Sequence, residues 1–259
     1  MPTTVNLDRS HPGTVVLRFD RPERLNAIDE VMVRELREAC ATIGADRAIR
    51  VVVLTGAGRA FCSGIDLRDF GPSMLDATDP AIDRLRFQEM MAALPVALRA
   101  LPQPVIAAVN GPAVGGGLAL CLAADVRICS ASASFGNAAI LIGLSGAEMG
   151  MSYHLPRIVG TSVAADWMLT GRTVTAEEAH RRGLVSELVD DGRLLDRALE
   201  LAEQIAANSP LGVQMTKRAL QVNTDAPDLA AALEVENRNQ IITHATEEAA
   251  AAQATWSRR

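Results

Sequence analysis

The stretch "PVIAAVNGPAVGGGLALCLAADVRICS", Pro104 to Ser130, decides the fold. It opens on an apolar run without alternation, the pattern of a strand buried on both faces. Asn110, Gly111 and Pro112 then turn the chain. Three glycines, Gly115 to Gly117, lead into a buried helix, and "DVRICSA" (Asp125 to Ala131) reads as another strand. Between Ala100 and Ala147 only Asp125 and Arg127 carry charge. A run this apolar suggests a membrane span, but its prolines and glycines interrupt it repeatedly, so no spanning segment is expected.

The same pattern occurs upstream. "RVVVLTG" (Arg50 to Gly56) is a buried strand ending in glycine, and "LTGAGRAFCSGIDL" is a second glycine turn. "GTVVLRF" (Gly13 to Phe19) is a further strand, followed by the turn "DRPERLNA". "IDEVMVRELREACATIG" reads as an amphipathic helix: Asp29 is its N-cap, Met32, Leu36, Cys40 and Ile43 recur at helical spacing, and Gly44 stops it. Strands alternating with helices give an α/β class with parallel pairing. Beyond about Asp190 the periodicity is helical throughout, so residues 1–190 form the α/β core and 191–259 a helical C-terminal region.

With 49% hydrophobic and 22% charged residues over 259, the chain is of globular composition. A net charge of -6 argues against a nucleic-acid partner. The four cysteines, Cys40, Cys62, Cys121 and Cys129, have neither disulfide nor zinc spacing, and with no signal-peptide pattern at the start a cytoplasmic protein is expected.

Each glycine turn ends a buried strand and opens a helix. Such a turn leaves helical N–H groups without partners, able to bind an anion or a developing oxyanion. Neither fits the P-loop or dinucleotide pattern. The bland alternative is two tight turns needed for close packing.

"RPERLNA", "VLTGAGRAFCSGIDL", "PVIAAVNGPAVGGGLALCLAADVRICS", "SFG", "LPRIVG", "LTGRTVTAEEAHRRGLVSELV" and "NSPLGVQMTKRAL" occur in this order. Together they resemble the crotonase superfamily, the enoyl-CoA hydratase/isomerase family, over roughly residues 10–220. The resemblance implies a spiral of repeated ββα units with a helical C-terminal oligomerisation region, assembled as a homotrimer or dimer of trimers. It implies an acyl-CoA ligand, with no metal and no cofactor beyond the coenzyme A moiety. The Ile65 and Gly116 N–H groups would hold the thioester oxygen, flanked by Gly64 and Gly115. Ala60, Cys62 and Ser63 would follow the adenine and pantetheine path, and Arg24 would lie near the nucleotide phosphates, unless it is an ordinary surface arginine.

The hydratases of this superfamily carry two glutamates where this sequence has Ala119 and Ala139. Alanine can neither activate water nor protonate carbon. Glu148 is the remaining candidate acid/base, in a segment where related isomerases carry an acidic residue. Placed among Leu141, Ile142, Leu144, Met149 and Met151, it should have a raised pKa; the alternative is an exposed helix-start carboxylate. Double-bond isomerisation is therefore expected, against a catalytically silent acyl-CoA binding protein, with a thioester hydrolase or decarboxylase as a third reading. Met74, Met90, Met91 and Phe87 line an acyl pocket or are plain core. His154 reads as structural, Asp66 as a helix cap, and Asp125 as the anchor of a strand start.

Overall fold

A computed structural model describes residues 3–70 and 80–256 of the chain; Met74 lies outside them. Its centre is a six-stranded sheet built from β1 (Val5–His11), β2 (Thr14–Phe19), β3 (Val51–Gly56), β4 (Val105–Val109), β6 (Val126–Ser130) and β9 (Glu187–Val189). They lie side by side in that order. The β1–β2 pair is antiparallel and every later pair parallel. A second sheet of three short strands, β5 (Pro112–Val114), β7 (Ser134–Gly136) and β8 (Val174–Thr175), stands beside it.

The parallel strands owe their position to their composition. Every residue of β3 and β4 is buried. Alternate residues of these strands feed two cores, Val52 and Leu54 one, Val51 and Val53 the other. The first core also takes α1 (Glu30–Ala45), α2 (Pro80–Ala100) and α3 (Gly116–Ala123). The second is closed by Leu194, Ala198 and Ala202 of α7 (Leu194–Ala206). Between α3 and α7 lie α4 (Met151–Val159), α5 (Thr161–Thr170) and α6 (Ala176–Arg181). Asp29 caps α1 by accepting the Met32 N–H, as expected. The helix runs one residue past Gly44, to Ala45, because Asp46 closes it with an N–H to the Ile43 carbonyl.

After Asp190 the described elements are helical: α7, α8 (Pro210–Asn223), α9 (Leu229–His244) and α10 (Glu247–Trp256). Lys217 pins α8 to the sheet. Its buried ammonium donates to Asp125 at 2.7 Å and to the Gln103 carbonyl at 2.8 Å. Asp125 also accepts the Val105 N–H, so one carboxylate ties the starts of β4 and β6 to α8. A buried ammonium is tolerable here because its partners are in place.

Candidate functional site

Parallel strands deliver their carboxyl ends to one side, and both glycine turns emerge there. After β3 the chain returns to bridge β5: the Cys62 N–H donates to the Pro112 carbonyl and the Val114 N–H to the Cys62 carbonyl. Three residues on, Ile65 bridges Ile28. The bonds of that bridge are made by its neighbours, the Gly64 carbonyl to the Ile28 N–H at 2.7 Å and the Asp66 N–H to the Ile28 carbonyl at 2.9 Å. In a parallel bridge the central residue's own N–H faces the opposite way. The Ile65 N–H therefore points from Ile28 toward the second glycine turn, without a partner among the described residues.

That turn is in contact. Gly64 has φ +94°, and a Cβ there would stand 2.8 Å from the Val114 carbonyl oxygen and 3.4 Å from the Gly116 nitrogen. Glycine alone admits both the backbone angle and the approach. Gly116 begins α3, and its N–H, like that of Ile65, has no acceptor among the described residues. Two N–H donors without an acceptor among the described residues thus lie on two adjoining chain segments, one of them at a helix N-terminus.

Glu148 adjoins them. Its Oε1 lies 3.4 Å from where a Cβ on Gly115 would sit. The side chain is half-buried and has no hydrogen-bond partner among the described residues, and burial raises its pKa above the ordinary value. The expected shift is present, but its expected lining needs correction. Leu141, Ile142 and Leu144 are exposed on the 3-10 turn Ala138–Ile142 and the loop after it. The other two residues of that lining, Met149 and Met151, are buried as expected. Met149 has φ +46°, and its Sδ would stand 3.1 Å from a Cβ on Gly116, so the residue after Glu148 packs on a donor.

The sequence profile of the enoyl-CoA hydratase/isomerase family matches residues 9–256. A probable enoyl-CoA hydratase of Mycobacterium tuberculosis is 45% identical over 256 residues, covering 96% of this chain and 90% of that protein. The chain belongs to the enoyl-CoA hydratase/isomerase family. Among solved structures, a probable enoyl-CoA hydratase/isomerase from Mycobacterium abscessus is 41% identical with a TM-score of 0.88, covering 97% of this chain and 96% of that one. A monofunctional enoyl CoA isomerase from M. smegmatis is 42% identical with a TM-score of 0.76, over 90% of this chain and 99% of that one. The crotonase fold expected from the sequence is the fold of this enoyl-CoA hydratase/isomerase family member.

The remaining candidates divide by their surroundings. Ala119 and Ala139 are both buried. Ala60 is buried, and its carbonyl accepts the Asn26 and Asn110 side-chain amides. Cys62 is fully buried, its thiol pushed up to about 12 by burial, which rules out a thiolate nucleophile near neutrality. Ser63 is half-buried and donates its N–H to the Leu25 carbonyl.

The Arg24 guanidinium grips both oxygens of Asp66, the closest contact being 2.6 Å. To bind a phosphate it would have to share that carboxylate. Asp66 is buried, also pairs with Arg21, and is held below the ordinary carboxylate range by those cations against the opposing cost of burial. It accepts the Arg68 N–H as well, so it caps the turn that follows Ile65.

Met91 is fully buried with Leu94 and Leu98 in the core, so its pocket reading is corrected to core. Met90 and Phe87 line a hollow of about 380 Å³ with Asp69 and Phe70. His154 is half-buried with its pKa lowered to about 4, chiefly by burial, which leaves it neutral.

The sequence reading missed two asparagines. Asn26 is fully buried at φ +57°, its amide bonding the Ala57 and Ala60 carbonyls and thereby fixing the first glycine turn. Asn137 holds the loop that carries Glu148, through the Gly146 carbonyl. A polar residue between "RL" and "A", or just after "SFG", has no periodic signature to give it away. Among the described residues no helix is long and apolar enough to cross a membrane, and no group of His, Cys, Asp and Glu could hold a metal ion.

Proposed function

We propose that this family member is an acyl-CoA double-bond isomerase in which Glu148 moves the proton and the Ile65 and Gly116 N–H groups hold the thioester oxygen. The observation that carries the reading is a half-buried carboxyl beside two N–H donors on adjoining segments, all three without a partner among the described residues. Nearby Asp66 is engaged by Arg24 and Arg21 and is not free to act.

With a 3-enoyl-CoA, the Glu148 carboxylate takes a proton from C2. The C–H pair becomes the C1–C2 double bond of a dienolate, and charge moves to the thioester oxygen. Fixed donors there are worth about 3–4 kcal/mol each in the transition state. The oxygen pair then re-forms the carbonyl, the C2–C3 double bond forms, and C4 takes the proton back from Glu148. No water is consumed, which suits a wall that has alanine at 119 and 139. One carboxyl with a raised pKa is adapted to both half-steps. Coenzyme A would run past Ala60, Cys62 and Ser63, and the chain would work as a homotrimer or dimer of trimers.

The test is turnover of 3-enoyl-, 2-enoyl- and 2,4-dienoyl-CoA by the wild type and by Glu148→Gln. Isomerisation reduced about 10²–10⁴-fold in the variant, with binding kept, is the expected result. Hydration that survives in Glu148→Gln would overturn the assignment. The second reading, a silent acyl-CoA binder, is favoured by the buried Ala119 and Ala139, and predicts binding without turnover on every panel member.

A further inference from the structure

Glu148 sits on a loop, and a loop that must aim one carboxyl needs fixed points on both sides. Behind Glu148 the chain is held by the Met151 N–H to the Glu148 carbonyl at 2.9 Å and by buried Met149. Ahead of it, the last backbone ties are those of Gly143 and Leu144 to the Ile140 and Ala139 carbonyls. Between Ser145 and Glu148, one hydrogen bond arrives from outside the loop among the described residues. The Asn137 Nδ2 donates to the Gly146 carbonyl at 2.5 Å. The other bond there is local, from the Ala147 N–H to Ser145 Oγ.

Asn137 is otherwise poorly provided for. It is 3% exposed, and its Oδ1 is buried without a donor among the described residues. Turning the amide over does not help, because Oδ1 would then face the Gly146 carbonyl. An orphaned buried acceptor costs about 1–3 kcal/mol. A side chain chosen only for packing would be apolar here. Gly146 itself is wedged: a Cβ on it would lie 2.7 Å from Asn137 Nδ2 and 2.8 Å from the Met168 carbonyl oxygen. The amide therefore meets the backbone two residues before Glu148 with no slack.

We infer that Asn137 is a positioning residue for Glu148, fixing the carboxyl beside the Ile65 and Gly116 donors by anchoring Gly146. The inference rests on the reading of Glu148 as the proton carrier. Without the tether, the loop stays folded on Met149 but swings at its upstream end, and the carboxyl wanders toward water.

Asn137→Ala removes the donor together with the orphaned acceptor; Asn137→Asp keeps the shape and, ionised, has no N–H to give. Both are assayed on 3-enoyl-CoA beside wild type and Glu148→Gln, with thermal unfolding and, for Asn137→Ala, a kcat–pH profile. The expected result is kcat lowered about 10²-fold by misplacement in both, with KM close to wild type; Tm stays close to wild type in Asn137→Ala and falls in Asn137→Asp, whose buried carboxylate faces the Gly146 carbonyl. The acid limb of the Asn137→Ala profile should move to lower pH as the carboxyl gains water. Unchanged kcat in both variants overturns the inference, and so does kcat falling with Tm while the profile stays in place, the mark of a merely structural residue. If Asn137→Ala does not fold, kcat of Asn137→Asp decides. A fully active Glu148→Gln would remove the premise. A dead Glu148→Gln beside unaffected Asn137 variants would sink this inference alone.

Discussion

The Glu148 carboxyl titrates above its ordinary value because burial penalises its charge and no hydrogen bond among the described residues offsets the penalty. A group whose folded-state pKa is raised contributes stability in full below its unfolded pKa, and loses it as the pH rises through the folded value. Wild type should therefore be less stable than Glu148→Gln at neutral and alkaline pH, with the difference closing at acid pH. His154 works in the opposite direction. Its pKa falls from 6.5 to about 4, so the folded chain loses stability as the pH drops across that window. His154 is common to both proteins and cancels in the comparison. Urea unfolding of the two across a pH series reads the difference directly, and a gap that does not change with pH would refute the buried-carboxyl account. The same burial that costs stability keeps the proposed acid/base group beside the Gly115 turn.

At the scale of elements, the site exists because two turns interlock. A Cβ on Gly117 would lie 2.1 Å from the Cys62 carbonyl oxygen and 2.8 Å from the Cys62 Cβ, so α3 rests directly on the first turn. That carbonyl is fixed by the Val114 N–H and cannot retreat. Gly117→Ala should thus cost about 3 kcal/mol, the upper end for an inserted methyl group, and lower kcat by shifting the Gly116 donor. Gly192→Ala is the control, since a Cβ there meets nothing within 4 Å. Equal unfolding midpoints for the two variants would contradict the interlock.

These turns were legible in the sequence because glycine clusters ending unbroken apolar runs leave few other readings. β3 and β4 were legible for the same reason, and β2 and β6 because their β-branched, apolar runs are bounded by turn residues or by the preceding helix. β1, by contrast, is an edge strand in which Val5 alone is buried, and "VNLDRSH" carries no clear alternation. β5, β7 and β8 are two or three residues long and exist only by pairing across the chain. Nor could the sequence foretell that Leu141, Ile142 and Leu144 face outward, because an apolar run does not declare which of its residues a turn will expose.

For the whole molecule, the C-terminal helices pose the question of what covers them. α7 closes a core and α8 is pinned by Lys217, but α9 has no buried residue. Its hold on α8 includes a polar bond from the Asn239 amide to the Met215 carbonyl, beside a cleft of about 790 Å³ lined by residues of both helices. Meanwhile Leu229 is 73% and Ile241 71% exposed. Scattered exposed leucines are ordinary on a monomer. A whole helix without one buried residue, carrying such side chains, gains little from the chain it belongs to and much from a second copy. The proposed trimer supplies that cover by closed symmetry, each copy offering its helical arm to the next. Sedimentation velocity should then give a species of three or six 27.5 kDa chains for the wild type. Paired Leu229→Lys and Ile241→Lys substitutions should lower that mass while leaving the secondary structure of the α/β core intact, because neither residue contributes to either core. A wild type that sediments as a single chain at assay concentration would refute the assembly, and it would leave the Ile65, Gly116 and Glu148 constellation, contained within one chain, able to act alone.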